Sequence, residues 1–338
     1  MTASRREFMA AAAAGGALAA VAPGGARAAA DKPPLKFLSF SAKSETAPRI
    51  GILVADDRIL DVGAEASRRK VTLAFDPADM VSLIASGDKG VAQVRTLVDG
   101  GQAIVSYSDQ KHWSPIPKPA RNIYAVGWNY LEHFAEGQAI RDAKQTYPEH
   151  PVFFTKGSHC MNGPFDPIPF DPAVSTQIDW EGELAVVIGT RGRNISEADA
   201  MKHVFGYSIM NDTTARDMQQ KRHGGQWFKG KSLDGHGPMG PVIVEASALD
   251  PDKLKLQTRV NGVVKQDAMT TQMFFKVPKI IAELSLGLTL EPGDVIATGT
   301  PPGVGVARSP QEFMKPGDVM ETEIAGIGLI RNTIAQVS

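Results

Sequence analysis

Apolar residues along most of the chain follow the spacing of β-strands, and only short stretches follow that of a helix. The clearest strand is the run from Leu184 to Ile188, which is apolar, rich in β-branched residues and closed by Gly189. Further strands are predicted at 35–40, 50–54, 58–62, 122–127, 204–210 and 294–298. Helices are predicted near 77–85, 89–97 and 277–286, and for the polar stretch 128–144.

Turn signals divide this pattern into hairpins. Asn261-Gly262 lies in the middle of the strand-like stretch 257–266 and is a strong signal for a tight hairpin. A second hairpin is predicted to join 318–324 to 329–334 across Ala325-Gly326. The stretch from Ser196 to Asp199 resembles a capping box and predicts that a short helix begins there.

The proline-rich segment 115–119 predicts a linker between two parts of the chain. We expect a small amino-terminal module at 35–118 and a larger catalytic domain at 121–336. A dinucleotide-binding fold is excluded, since no glycine fingerprint follows the first strand. The pattern therefore predicts a strand-dominated α+β fold whose larger domain has a mixed β-roll or sandwich core.

Residues 1–30 have the order of an export signal. Paired Arg5 and Arg6 precede an alanine-rich apolar stretch at 10–22, and small residues at 26–30 suit a signal peptidase. This order predicts a twin-arginine signal peptide and a mature protein that the twin-arginine machinery delivers to a bacterial periplasm. The apolar stretch is shorter than the roughly 20 residues of a spanning helix, so we expect no membrane attachment after cleavage. A frayed helical tail is the alternative.

Charge and cysteine content argue against nucleic-acid binding and exclude an intrachain disulfide. The chain has 36 basic and 37 acidic residues and a net charge of -1, without a clustered basic stripe, which argues against nucleic-acid binding. Cys160 is the single cysteine, so no intrachain disulfide can form. We interpret Cys160 as a core or loop residue although His159 precedes it.

Two carboxylates stand just before the clearest strand. Glu181 and Glu183 are two residues apart, so on an extended chain their side chains point the same way and repel unless a cation lies between them. Asp212 ends the predicted strand at 204–210 and can join them. Three carboxylates are a donor set for Mg²⁺, Mn²⁺ or Ca²⁺ rather than zinc, and leave positions open for water and substrate. The alternative is one buried and one solvated glutamate.

A histidine and a carboxylate share one face of the helix predicted at 128–144. His133 and Glu136 are three residues apart, and such a pair can serve as a general base that activates water. Lys231 is a candidate cation for a developing oxyanion. The loop from Thr298 to Gly305 could offer backbone donors to a carboxylate, although it lacks the lysine of a phosphate-binding loop. The alternatives are a solvated helix face for the pair and a surface position for the lysine.

Five motifs in one order resemble the catalytic domain of the fumarylacetoacetate hydrolase family over residues 122–334. They are the segments 127–136, 179–185, 206–219, 227–232 and 290–305. The resemblance implies a homodimer of β-rich rolls, each with a small amino-terminal module. It also implies Mg²⁺ at Glu181, Glu183 and Asp212, with Mn²⁺ or Ca²⁺ as alternatives.

The same resemblance implies roles for other residues. His133 and Glu136 would form a catalytic dyad on a segment that orders over the substrate, while Lys231 and Gln219 reach the substrate's oxygens. Trp128 stands where many relatives carry arginine or leucine, so we expect it to reshape the pocket. Further candidates for substrate binding are Thr300 and, for a second carboxylate, Arg141, Lys144 and Arg216. A solvated surface position is the alternative for Arg141 and Lys144.

The resemblance implies an enzyme of the kind found in aromatic catabolism. The leading hypothesis is hydrolysis of a carbon–carbon bond in a 2,4-dioxo acid of acylpyruvate or fumarylpyruvate type, through a metal-bound enolate. Alternatives at the same site are oxaloacetate decarboxylation, 2-hydroxydienoate isomerisation and 2-oxo-alkenoate hydration. An exported protein that binds a metal or ligand without turnover is a further alternative.

Overall fold

The computed structural model describes residues 33–138 and 146–337. The predicted signal peptide and two candidate substrate residues, Arg141 and Lys144, lie outside this range. Within the range, none of the helices has both the length and the apolar character needed to cross a bilayer.

Short strands make up most of the regular structure of the described residues. The first ten are β1 (Lys36–Ala42), β2 (Arg49–Ala55), β3 (Arg58–Asp61), β4 (Ile104–Ser106), β5 (Gln110–Trp113), β6 (Ile123–Gly127), β7 (Val152–Lys156), β8 (Met161–Asn162), β9 (Ile168–Phe170) and β10 (Ile178–Asp179). The others are β11 (Gly182–Ile188), β12 (Gly192–Arg193), β13 (Val204–Asn211), β14 (Thr214–Ala215), β15 (Gly237–Glu245), β16 (Lys255–Val260), β17 (Val263–Met269), β18 (Thr289–Leu290), β19 (Val295–Ala297), β20 (Val319–Ile324) and β21 (Gly328–Gln336).

The helices of the described residues are short, and together they cover less of the chain than the strands do. They are α1 (Val62–Arg69), α2 (Met80–Ala85), α3 (Gly87–Val98), α4 (Leu131–Gln138), α5 (Arg216–Lys221), α6 (Phe228–Lys231) and α7 (Val277–Ser285). The prediction of a strand-dominated α+β fold is confirmed.

The largest sheet joins the amino-terminal strands to the strands that carry the carboxylates. Its strand order is β4-β3-β2-β1-β15-β13-β11-β19-β6-β7, with β5 paired to β1 and β8 paired to β15. The junction is the antiparallel pair of β1 with β15, where Phe37 lies opposite Ile243. Segments 35–118 and 121–336 therefore share one sheet.

A second sheet, of order β17-β16-β20-β21-β9, covers one face of the first. Strand β11 shows how this arises: Leu184 and Val186 belong to the core between the two sheets, whereas Ala185 and Val187 belong to the core on the opposite face. That opposite face packs against residues of α2 and α3, including Leu83 and Val94. Because both faces of β11 are buried, its sequence is continuously apolar rather than alternating.

Several predicted element boundaries are wrong. Val62 was predicted to end a strand but begins α1, because the Asp61 carboxylate accepts a hydrogen bond from Ala64 N at 2.9 Å and caps the helix. Asp79 likewise caps α2, which starts at residue 80 instead of 77. The helix predicted from residue 128 begins at Leu131. After the capping-box segment, a 3₁₀ helix forms at Ala200–His203 instead of an α-helix at Ser196.

Candidate active site

Three buried carboxylates meet where β11 and β13 pair. Glu181 immediately precedes β11, Glu183 is its second residue, and Asp212 follows β13. The antiparallel register places Gly182 opposite Asn211, and Asp212 N donates to Glu181 O at 2.8 Å. One ligand oxygen from each carboxylate lies within 4.8 Å of the others. Strand pairing thus assembles the carboxylates that the sequence suggested as metal ligands.

Three buried cations surround these carboxylates. Lys231 Nζ lies 2.7 Å from Glu181 Oε2 and 2.7 Å from Asp212 Oδ2. Arg216 Nη2 lies 2.7 Å from Glu181 Oε1. Lys156 Nζ lies 2.7 Å from Asp212 Oδ1, so both oxygens of Asp212 face an ammonium group. Glu183 instead accepts a backbone hydrogen bond from Gly299 N at 2.7 Å.

These different neighbours shift the pKa values of Glu181 and Glu183 in opposite directions. Burial alone would raise the pKa of Glu181, but Lys231 and Arg216 outweigh it and lower that pKa to about 2. Burial, together with Asp212 and Glu181, raises the pKa of Glu183 well above its usual value. Glu183 is therefore the carboxylate that most lacks a neighbouring positive charge.

The donor set and the charge of the cluster fit a divalent cation. Its carboxylates are Asp179, Glu181, Glu183 and Asp212, and its cations are Lys156, Arg216 and Lys231. With every group ionised, this defined cluster has a net charge of -1. A divalent cation would bring the net charge to +1, which attracts an anionic substrate, and the oxygen donors suit Mg²⁺ or Mn²⁺.

His133 and Glu136 form the predicted pair on α4. His133 Nδ1 lies 2.7 Å from Glu136 Oε1, and the other carboxylate oxygen, Oε2, accepts a hydrogen bond from Gly303 N at 2.8 Å. Because a carboxylate accepts the hydrogen of Nδ1, the imidazole keeps its lone pair on Nε2. The Gly303 contact holds the dyad to the loop that follows β19.

Asp179 fixes that loop to the carboxylate cluster. Its Oδ1 accepts a hydrogen bond from Gly305 N at 2.7 Å, and its Oδ2 accepts one from Val306 N at 2.9 Å. Arg216 Nε also donates to Asp179 Oδ2, at 2.7 Å. One carboxylate therefore orients both the loop and the arginine that contacts Glu181.

A cavity of about 640 Å³ opens beside the cluster and the dyad. Its size is that of a small-molecule site. Catalytic candidates from several parts of the chain line it together with Trp128: His133, Glu181, Arg216, Lys231 and Thr300.

The predicted substrate residues occupy different positions in this cavity. Gln219 lines it and accepts a hydrogen bond from Arg216 Nη1 at 3.0 Å. The Thr300 hydroxyl donates to Gly182 O at 3.0 Å and accepts from Gln266 Nε2 at 2.7 Å, so it is already engaged with the protein. Arg216 is committed to Asp179 and Glu181 rather than exposed for a second carboxylate.

Sequence patterns did not select Lys156 or assign a role to Asp179. Lys156 ends the apolar strand β7, and a lysine at a strand end is usually solvated, yet this one is fully buried. Asp179 lies two residues before Glu181, but its partners Gly305 and Arg216 are distant in sequence. The sequence signal that could have identified Lys156 was its position as the charged last residue of an apolar strand.

This chain is similar to known proteins over most of its length. Residues 122–335 match the family model described as fumarylacetoacetate (FAA) hydrolase C-terminal. The oxaloacetate tautomerase YisK of Bacillus subtilis is 44% identical over 294 residues, covering 84% of this chain and 95% of that protein. The human mitochondrial oxaloacetate tautomerase FAHD2A is 39% identical over 265 residues, covering 77% of this chain and 82% of that protein.

Solved structures with this fold include two hydrolases. A fumarylacetoacetate hydrolase from Exiguobacterium antarcticum is 37% identical with a TM-score of 0.73, covering 90% of this chain and 100% of that one. A maleylpyruvate hydrolase from Sphingobium sp. SYK-6, in complex with manganese(II) and pyruvate, is 28% identical with a TM-score of 0.70 and the same coverage. The manganese complex and the three carboxylates described above both suggest a divalent metal.

Proposed function

Because this chain belongs to the fumarylacetoacetate hydrolase family, we propose that it is a divalent-metal-dependent tautomerase, which interconverts the keto and enol forms of 2-oxo acids such as oxaloacetate. The observation that carries the proposal is the cavity lined by His133, Glu181 and Lys231, with Glu183 and Asp212 grouped beside Glu181. A base, a cation site and an ammonium group around one cavity are what a proton shift next to a carbonyl needs.

The chain's own residues account for the proton movements. His133 Nε2 accepts the proton from C3 of the keto acid, and Glu136 stabilises the imidazolium that forms through the bond at Nδ1. Negative charge then develops on the 2-oxo oxygen. Lys231 has three ammonium hydrogens, of which two point to Glu181 and Asp212, so one remains for that oxygen.

Transfer of the free Lys231 ammonium proton to that oxygen completes the enol. The His133 imidazolium then loses its proton to solvent and Lys231 regains one, so the net change is one proton moved from C3 to oxygen, and the reverse sequence restores the keto acid. Mg²⁺ or Mn²⁺, held by Glu181, Glu183 and Asp212, would supply a Lewis acid that makes the C3 proton more acidic. Similarity to two oxaloacetate tautomerases supports this reaction over the carbon–carbon hydrolysis that the sequence suggested first.

The proposal is tested by the decay of the enol of oxaloacetate, followed by its absorbance. Protein stripped with chelator should be inactive, and Mg²⁺ or Mn²⁺ should restore decay without release of pyruvate or carbon dioxide. Decay that matches the buffer rate under all conditions would refute the proposal. Metal-dependent release of carbon dioxide would replace it with oxaloacetate decarboxylation.

Hydrolysis of an acylpyruvate is the second candidate. The specific observation in its favour is the His133–Glu136 pair, which is equally able to take a proton from water, and the fold is shared with a maleylpyruvate hydrolase. Acetylpyruvate assayed in the same metal-restored samples distinguishes the two reactions. Pyruvate and acetate at a rate above that of enol decay would favour the hydrolase.

A further inference from the structure

Four aromatic side chains pack edge to face in a row beside the cavity, here called the aromatic wall: Phe154, Trp227, Trp128 and Phe134. Ring centroids are separated by 5.2 Å from Phe154 to Trp227, by 5.0 Å from Trp227 to Trp128 and by 5.7 Å from Trp128 to Phe134. The first three residues line the cavity and are partly exposed. The wall therefore offers the cavity an extended apolar surface.

The wall runs between the two groups that would act on the substrate. At one end, Lys231 Nζ lies 5.1 Å from the centroid of the Phe154 ring. At the other end, Phe134 follows His133 in α4. His133, Lys231 and both indole rings line the same cavity, so a substrate held by His133 and Lys231 has the indole rings within the same space.

The backbone holds the two tryptophans in fixed positions. A Cβ atom on Gly127 would lie 2.4 Å from the Trp227 ring, so this indole packs directly on a backbone that has no side chain there. Trp128 has a φ of 56°, which is in the left-handed region that bulky residues rarely adopt. Such a conformation is costly and is retained mainly where the position of the side chain matters.

The cavity is larger and less basic than a small dicarboxylic acid requires. Its volume of about 640 Å³ lies within the range of drug-sized ligands. Of the lysine and arginine residues among the described lining residues, Arg216 and Lys231 already bind carboxylates, and Lys221 is exposed. The wall itself presents apolar rings to the tail of the substrate.

We propose that the preferred substrate is a 2-oxo acid whose C3 carries a planar aryl or conjugated group, of phenylpyruvate type, with that group packed on the aromatic wall. This inference rests on the proposed tautomerase function and specifies its substrate class. One proton leaves C3, one proton is added to the 2-oxo oxygen, and the composition and oxidation state of the acid do not change. An enol conjugated with the ring is planar, so the substrate's ring can contact the partly exposed rings of the wall by stacking or edge to face.

The test compares phenylpyruvate with oxaloacetate as tautomerase substrates of the metal-loaded enzyme. We expect kcat/KM for phenylpyruvate to exceed that for oxaloacetate by about tenfold or more. Trp128→Leu and Trp227→Leu should each lower kcat/KM for phenylpyruvate about 10- to 30-fold, as expected for the loss of one aromatic contact surface. Turnover of oxaloacetate, which has no ring to pack on the wall, should fall by a clearly smaller factor in the same variants, and their circular dichroism and thermal unfolding show whether they fold.

Phe228→Ala is the matched control, because Phe228 follows Trp227 directly but is exposed and does not line the cavity. It should leave both reactions unchanged. A preference of the wild-type enzyme for oxaloacetate, or equal losses for both substrates in the tryptophan variants, would overturn the inference while the tautomerase function stands. If neither acid is tautomerised, the proposed function fails and the inference fails with it.

Discussion

At the scale of single residues, Lys156 shows how the carboxylate cluster is held together. Its side chain is fully buried, its Nζ contacts Asp212 Oδ1 at 2.7 Å, and it also donates to the backbone carbonyl of Lys231. Burial disfavours the charged ammonium, but the carboxylate of Asp212 outweighs it and raises the pKa of Lys156. The lysine therefore remains charged and fixes both Asp212 and Lys231.

Replacing Lys156 by methionine should destabilise the metal-free protein strongly. The change leaves the buried Asp212 carboxylate with one ion-pair partner, so we expect a loss of about 3–5 kcal/mol in the free energy of unfolding. Added Mn²⁺ should recover part of that loss. Denaturant unfolding with and without the metal measures both effects.

Lys253→Met is the matched control for this prediction. Lys253 Nζ lies 2.8 Å from Asp250, but the lysine side chain is 75% exposed, so its loss should cost much less stability than the loss of Lys156. Equal losses in the two variants would contradict the role given to Lys156.

Gly303 connects the loop after β19 to the catalytic dyad. Its φ is 106°, its N–H donates to Glu136, and a Cβ atom would lie 2.1 Å from Lys265 O. Gly303→Ala should displace the loop and the carboxylate behind His133, and should lower kcat about 10- to 100-fold with little change in metal affinity. Steady-state kinetics and metal titration measure the two quantities.

Gly317→Ala separates this effect from backbone strain alone. Gly317 has a φ of 92°, but a Cβ atom there would meet nothing within 4 Å. We expect this control to cost about 1 kcal/mol of stability and to leave kcat unchanged. A wild-type kcat in Gly303→Ala would show that the loop does not support the dyad.

The spacing of Glu181 and Glu183 and the position of Asp212 at a strand end suggested a metal site, and the family resemblance implied the same three residues. They did not predict that Arg216 would be engaged by Asp179 and Glu181, since both contacts come from the antiparallel pairing of β10 with β14 and of β11 with β13. The residues next to Arg216 in the sequence do not indicate which distant carboxylates it contacts.

At the scale of elements, α1 is tied to the rest of the amino-terminal segment by one carboxylate. Glu65 accepts hydrogen bonds from Arg68 and Arg69 and from the backbone N–H groups of Gln102 and Ala103. The hydrogen bonds of Arg68, with those of the backbone, outweigh the effect of burial and hold the pKa of Glu65 well below its usual value. The charged form of Glu65 thus stabilises the packing of α1.

Glu65→Gln should therefore destabilise the protein in a pH-dependent way. A carboxylate whose pKa is lowered by folding stabilises the protein above its unfolded pKa of about 4.3, and this contribution is lost as the pH falls below that value. We expect a loss of about 2–4 kcal/mol at pH 7 that shrinks below about pH 4. Urea unfolding across this pH range measures it, with Glu149→Gln at an exposed site as control. A difference independent of pH would contradict the assignment.

Elements with local signals were predictable, and those that depend on distant partners were not. The hairpin at Asn261-Gly262 follows from a turn sequence, and the structure has it between β16 and β17. The nine residues of β15 were not predicted, because glycine and proline interrupt their apolar pattern. Pairing with β1 and β13 makes that segment a central strand of the large sheet.

At the scale of the whole molecule, export to the periplasm is a proposal that rests on residues 1–30. We expect the periplasmic fraction of an expressing bacterium to contain a chain cleaved between about residues 26 and 30. Replacing Arg5 and Arg6 by lysine should retain the protein in the cytoplasm, because the export machinery reads the paired arginines. Mass spectrometry of both fractions measures this. An uncleaved chain in the cytoplasm of the wild-type strain would contradict the proposal.

The site is a product of the whole fold. One cavity receives groups from α4, β7, the residue before β11, α5, α6 and the loop after β19. Lys156 at the end of β7 pairs with Asp212 after β13, and Asp212 pairs with the cavity residue Lys231. The sequence gives the positions of these groups along the chain but does not predict that they meet, since strand order in a sheet is set by long-range pairing. The sequence could supply the residue types of the site. The structure adds the ion pairs that hold these residues in place.

The most direct measurement of the central claim is solvent deuterium exchange at C3 of oxaloacetate, followed by NMR with metal-loaded enzyme. If His133 moves that proton, the wild-type enzyme should accelerate exchange, and His133→Asn should lose at least about 100-fold of that acceleration while it retains metal affinity. Glu132→Gln, at the exposed neighbouring position, should behave as wild type. Exchange that is as fast in His133→Asn as in the wild type would contradict the role of His133 as the base.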